Sequence, residues 1–298
     1  MPELPDIVAY QEAISRHAGG RLLVKVHIYR PFLVRTYEPS ASSAQGLKLT
    51  NVGRIGKRLT LNFENQVFMV FHLMIAGRFQ WIPKPYGRAS KFDLAALQFD
   101  TGTLLMTEAG TKRRASLHIY SDRGEMERTS RGGTEPLEAT LEDFKERLQR
   151  ENRTLKRALT NPYTFSGIGN AYSDEILFAA KLSPVRLTKS LSDAEVERLW
   201  KATQQTLNHW IEIIRAEIGD GFPGRGKVTA FRDDFNVHGR YGQPCRVCGM
   251  PIQRIVYAEN EANYCARCQN EDRILADRAL SRLLREDWPK TIEEMAGD

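Results

Sequence analysis

Over the first 133 residues, apolar positions fall in short runs separated by turn formers. Residues 22–29, 58–63, 67–72, 94–99 and 103–107 are rich in Val, Ile, Leu and Phe, with Gly, Asn or Asp-Thr-Gly between them. Short apolar runs bounded by turn residues predict strands, and a succession of them predicts a β-sandwich or barrel. One helix precedes them, because residues 6–16 place Ile7, Tyr10 and Ile14 on one helical face. The composition shifts at residues 131–136 (RGGTEP), which read as a linker. From Leu141 the apolar period becomes helical, over residues 141–151, 154–160, 171–180 and 193–218. Ser192 with Glu195 three residues on has the spacing of a capping box. Residues 219–226 form a loop rich in Gly, Pro and charge, and residues 238–269 hold two short hairpins. In the tail, Ile274, Leu275, Leu280, Leu283 and Leu284 predict a further helix. The expected division is 1–133, 134–235, 236–270 and 271–298, an α+β multidomain chain.

Charge adds a partner class to this picture. The 298 residues hold 43 Lys and Arg against 37 Asp and Glu, a formal charge of +6. Residues 269–298 contain five basic and eight acidic residues, so the body is more basic than the total. A basic body suits a polyanion, since neutralising phosphates releases counterions. No run approaches the roughly 20 apolar residues that span a bilayer. The start MPELPDIVAY carries acids where a secretory signal has a basic and then an apolar stretch. A cytoplasmic monomer without a membrane partner is expected.

All four cysteines lie in one stretch, as Cys245, Cys248, Cys265 and Cys268. Two Cys-x2-Cys pairs sixteen residues apart fit the zinc pattern rather than a disulfide framework. Four thiolates close a tetrahedral shell around Zn²⁺ and leave no position for water, so one structural zinc is expected. The same stretch carries Arg246, Arg254 and Arg267, which suits a phosphate backbone.

The N-terminus offers a second chemistry. Removal of Met1 before proline would leave Pro2 with a secondary amine, and an α-amine titrates about two units below lysine. Attack of that amine on a sugar C1′ yields a charged iminium, with Glu3 placed as the acid. Proline and acids are also ordinary helix starters, so the five residues alone fit either reading.

Further motifs join the terminus. Pro2-Glu3-Leu4-Pro5, Gly56-Lys57-Arg58-Leu59, His72-Leu73, Arg113-Arg114 and Ser166-Gly167-Ile168-Gly169-Asn170-Ala171-Tyr172-Ser173-Asp174-Glu175 occur in that order, followed by the four cysteines. In this combination the chain resembles the formamidopyrimidine-DNA glycosylase and endonuclease VIII family of base-excision repair enzymes. The resemblance implies an N-terminal β-sandwich with a leading helix, a helical helix–two-turns–helix domain and a C-terminal zinc finger. It implies a bifunctional glycosylase and lyase acting on double-stranded DNA that contains a lesion or an abasic site. Pro2 would be the Schiff-base nucleophile, Glu3 the proton donor, and Lys57, on a strand after Gly56, an aid to β-elimination. His72, Lys91, Arg113 and Arg114 would contact phosphates, Lys156 would reach the lesion pocket, and Asn170 would add an amide donor at the motif turn. Taken singly, Lys57 also fits an exposed strand lysine, His72 a core histidine and the arginine pair a solvated loop.

Three departures from the family pattern bear on substrate. Asn260 stands where the family's zinc hairpin has an arginine, and an amide does not replace a bidentate guanidinium. Ala115 stands where one branch has a phenylalanine wedge, and Ile75 where it has methionine. The segment 219–234, where that branch caps 8-oxoguanine, differs. Oxidised pyrimidines or abasic sites alone fit these changes, and a non-catalytic DNA-binding scaffold is the alternative.

Overall fold

The computed structural model describes residues 1–87, 89–110, 112–224, 232–257, 260–275, 290, 291 and 294, with Tyr257 and Asn260 described in backbone only. The chain forms two compact units, Met1–Arg131 with His209–Thr229, and Gly132–Asn208 with Ala230–Asp298.

The first unit begins with helix α1 (Leu4–Ala18). Eight strands follow: β1 (Leu23–Ile28), β2 (Leu49–Ile55), β3 (Arg58–Phe63), β4 (Phe68–His72), β5 (Gly77–Ile82), β6 (Asp93–Phe99), β7 (Gly102–Glu108) and β8 (Ser116–Tyr120). They form two four-stranded sheets, β1-β6-β7-β5 and β2-β3-β4-β8, with every neighbouring pair antiparallel. The unit is therefore a sandwich and not a barrel. Alternation along the strands sends Leu59, Leu61, Met69, Phe71, Leu117 and Ile119 of one sheet toward Phe79, Leu97, Leu104 and Met106 of the other. Ile7, Tyr10 and Ile14 of α1 join the same core. Each such side chain contributes about 1.5–3 kcal/mol on burial. A short helix, α2 (Arg123–Glu127), packs Met126 on Phe68 and Val70, on the outer face of the second sheet.

Strands β2, β5 and β8 were not among the runs picked out by hydrophobicity. None has a continuous apolar run: polar residues or glycine interrupt each, and β2 carries Thr50, Asn51, Gly53 and Arg54 between its apolar residues. Strands with one solvated face have this weak signal, and pairing with β3, β7 and β4 is what fixes them.

The second unit holds α3 (Leu141–Gln149), α4 (Leu155–Thr160), α5 (Asn170–Ala179) and, as far as Asn208, α6 (Asp193–Ile218). The capping box at α6 is formed: Ser192 N–H donates to Glu195 Oε2 at 2.9 Å, and Glu195 N–H donates to Ser192 Oγ at 3.3 Å. Strands β9 (Gln253–Tyr257) and β10 (Asn260–Tyr264) make one hairpin, followed by α7 (Ala266–Asn270). Of the two hairpins expected, the first is a tight turn closed by a Pro244–Pro251 bridge. The expected tail helix and most of the 219–226 loop's charged end (residues 225 and 226) lie outside the described residues. No helix among the described residues is long and apolar enough to cross a membrane.

Candidate functional site

In the first unit, the chain start converges on charged groups from three elements. Pro2 and Glu3 are buried at the entry to α1, where Glu3 is the N-cap and its N–H donates to Asp6 Oδ2 at 2.8 Å. Glu3 is only 2% exposed, so its carboxyl group is held where water is scarce. Met1 heads the chain, and its amine is held below the ordinary value, first by burial. Glu3, Arg78, Asp6 and Lys57 all act on that amine electrostatically. The sequence-predicted Pro2, Glu3 and Lys57 are thus brought together.

Lys57 sits differently from expectation. It lies in the two-residue turn between β2 and β3, not on a strand, because Ile55 pairs with Arg58 and Gly56 takes φ +60°. A positive φ at the first turn position matches the twist of a tight hairpin and favours glycine. Arg78, two positions into β5, was not singled out in the sequence; its Nη1 donates to the carbonyls of Ile75 and Gly77. A basic residue after the His72-Leu73 turn was the available signal.

His72 ends β4, and its Nδ1 accepts the Met74 N–H at 3.0 Å, which places the ring proton on Nε2. Burial, with Arg58, Lys57 and His118 nearby, pushes its pKa down to about 4. It is a neutral hydrogen-bond donor at physiological pH. Because the folded value lies below the unfolded one near 6.5, this site loses stability as pH falls through that interval.

Lys91 and Arg113 come together, since Arg113 Nη2 donates to the Lys91 carbonyl at 2.9 Å. Arg114 is exposed, and the buried Glu108 carboxylate holds its loop by accepting the N–H groups of Arg114 and Ala115. Ala115 is fully buried in the sandwich core, whereas Ile75 is 63% exposed.

In the second unit, Gly167 takes φ +78° and Gly169 caps α5, so the Ser166–Asn170 stretch is the turn that starts this helix. Helix α5 is buried along nearly its whole length, so Asp174 and Glu175 need internal partners. Glu175 accepts the N–H groups of Asn236, Val237 and His238 and the Asn236 amide. Asp174 accepts Lys156 Nζ at 2.6 Å and faces His238 Nδ1 at 2.7 Å. Lys156 also donates to the Asn170 carbonyl at 2.6 Å, and Asn170 Nδ2 donates to the Glu261 carbonyl of β10 at 2.8 Å. Lys156 and Asn170 therefore tie the motif turn to α4 and to the cysteine hairpin. Removing one partner of a buried ion pair costs about 3–5 kcal/mol. Lys156→Met is expected to destabilise the protein by that order in denaturant melts, and Asp174→Asn in the same chain should restore part of it.

The four Sγ atoms lie within 4.8 Å of one another, with Cys248 and Cys265 at 3.4 Å and Cys245 and Cys268 at 4.0 Å. Four ligands about 2.3 Å from Zn²⁺ in a tetrahedron stand about 3.8 Å apart. None of the four is in a disulfide. Burial drives the Cys265 thiol up and Cys268 up to about 11, so a cation is needed to hold both as thiolates. Gly249, at φ +77°, turns the first pair back so that Cys245 N–H meets the Met250 carbonyl. Donor type, spacing and shape fit one structural zinc. The Asn260 side chain lies outside the described residues.

Three family models match the chain in order. The formamidopyrimidine-DNA glycosylase N-terminal domain covers residues 1–114, its H2TH domain residues 133–220, and the zinc finger found in FPG and IleRS residues 242–270. Sandwich, helical unit and four-thiolate hairpin define the zinc-finger class of DNA-repair glycosylases. Formamidopyrimidine-DNA glycosylase of Desulfitobacterium hafniense is 30% identical over 273 residues, covering 90% of this chain and 100% of that protein. That of Solibacter usitatus is 30% identical over 271 residues, covering 90% and 99%. The chain belongs to the formamidopyrimidine-DNA glycosylase family. The solved complex of Lactococcus lactis Fpg with DNA containing an abasic site shares the fold, with TM-score 0.79 at 22% identity over 90% of this chain and 99% of that one.

Proposed function

We propose that the chain is a bifunctional DNA glycosylase and abasic-site lyase that excises an oxidised base from duplex DNA as a cytoplasmic monomer. The observation that carries this reading is the chain start, where a buried proline and a buried acid meet Lys57 and Arg78. After removal of Met1, the Pro2 nitrogen lone pair attacks C1′ and the bond to the base breaks. The electron pair leaves with the base, which takes a proton from Glu3. The nitrogen then gives up its N–H proton, and its lone pair forms the C1′=N bond as the C1′–O4′ bond breaks and O4′ is protonated. The positive iminium so formed acidifies C2′–H. Loss of that proton breaks the C3′–O bond and releases the downstream strand with its phosphate. Lys57 holds the phosphate charge beside this step and assists the elimination.

His72 serves as a neutral N–H donor to a phosphate, and Lys91, Arg113 and Arg114 supply positive charge. Lys156 and Asn170 position the motif turn, whose N–H groups face a phosphate. With Ala115 turned into the core, Ile75 is the side chain available to fill the gap left by a flipped base. A single aliphatic wedge favours lesions that already stack weakly, such as oxidised pyrimidines and abasic sites.

Borohydride reduction during reaction with abasic duplex tests the reading. A covalent adduct mapping to Pro2 in a chain lacking Met1 is expected, and the absence of any adduct across a panel of single-lesion duplexes would leave only a DNA-binding scaffold. Glu3→Gln separates the two activities. Base release should fall by about 10²–10⁴-fold, the usual contribution of a general acid, with abasic-site cleavage retained. Equal loss of both would assign Glu3 a structural role.

A further inference from the structure

The outer face of the second sheet divides into an apolar and a cationic half. Register places Arg58, Val70, His118 and Tyr120 on this face, since Arg58 pairs with His72, Val70 with His118 and Phe68 with Tyr120. Met126 of α2 covers Phe68 and Val70. Beyond it, the turn after α2 encloses a cavity of about 220 Å³ lined by Arg58, His118, Tyr120, Arg128, Ser130 and Arg131.

Arg58 is the half-buried member, and its Nη1 donates to the Thr129 carbonyl at 2.8 Å. Among the described residues, no carboxylate lies within ion-pair distance of its guanidinium. Burial, then the charge of Arg131, depresses its pKa, and burial with Arg58 and Arg35 depresses that of His118. Glu125 is the acidic neighbour, but it is exposed and stands 3.9 Å from Arg128. A partly desolvated guanidinium beside further cations costs free energy unless an anion joins it. The room for that anion is the cavity itself. Arginines in convergent array, with a phenol and an imidazole as additional donors, match the oxygens of a phosphate group.

We propose that this cavity is a phosphate-binding site in which Arg58 is the central ligand and the Arg128–Arg131 turn supplies the second wall. None of the residues that line it belongs to the cluster at Pro2. The occupant is either a phosphodiester of the DNA backbone or a phosphate monoester, inorganic phosphate being the simplest. Only the first of these rests on the glycosylase reading.

Titration of the full-length protein with inorganic phosphate, against sodium chloride of equal ionic strength, tests the site by calorimetry and by the His118 ring resonances. Saturable binding is expected, weakened at least about tenfold in Arg58→Gln, as for loss of a charge-assisted hydrogen bond. The exposed pair Arg128→Gln with Arg131→Gln provides the same test without touching the sheet, should Arg58→Gln fail to fold. The salt dependence of DNA binding separates the sources. A slope lowered by about one in Arg58→Gln identifies a backbone phosphate. An unchanged slope with phosphate binding lost identifies a monoester. A phosphate response no larger than that to chloride, or one that survives both variants, overturns the site. Neither result bears on adduct formation at Pro2, so this inference and the proposed function fail independently.

Discussion

Pro2→Gly is expected to lower the yield of borohydride-trapped adduct on abasic DNA by about a hundredfold or more, with duplex binding kept within a few-fold. Two physical differences combine. The pyrrolidine nitrogen is a secondary amine, so its adduct with C1′ is a permanently charged iminium, whereas a glycine imine is neutral once it loses a proton. The proline ring is also buried at the entry to α1, which fixes the nitrogen relative to Glu3 and Lys57. Glycine releases that constraint, and near-attack placement is worth several orders of magnitude in rate. Adduct mass spectra and single-turnover cleavage measure the effect directly. Adduct at wild-type yield in Pro2→Gly, mapping to a lysine and not to residue 2, would move the nucleophile, with Lys57 the first to examine.

Zinc removal is expected to abolish the order of residues 242–270 and DNA binding with it. Structural zinc contributes about 10–16 kcal/mol to the folding of isolated fingers, far more than two small apolar clusters supply. Here Cys245, Cys265, Val237 and Ile252 pack with Phe178, and Ile255 with Tyr264 and Ala266. One Zn²⁺ per chain should be found by elemental analysis of the purified protein. Chelation, or Cys265→Ser, should raise amide exchange across β9 and β10 and remove the Glu261 carbonyl that Asn170 holds. Strands of the first unit should keep their protection. Full protection in the hairpin after zinc loss would show that packing alone maintains it.

The elements differ in how far they could be read from the chain. Helix α6 and its capping box were visible because a 26-residue amphipathic period and a local Ser192–Glu195 pair need no distant partner. The zinc ligands were equally legible, since Cys-x2-Cys is a local constraint on a metal shell. Strands β2, β5 and β8 were not, because half of each faces solvent and their identity comes from neighbours. Lys57 was expected on a strand, yet Gly56 gives it a turn. The run of apolar residues ends at Arg58, and only pairing of Ile55 with Arg58 decides which side of that boundary the lysine takes.

The order of motifs, the thiolate spacing and the proline at position 2 were settled by the polypeptide alone, for each depends on residue type and short separation. Tertiary structure decided the partnerships. It set Lys156 on Asp174, Asn170 on the Glu261 carbonyl, Glu108 under the Arg114 loop and Arg58 in a cationic cavity. A buried charge chooses its partner by distance and dielectric, and neither quantity is written along a chain before the sheets and helices have closed.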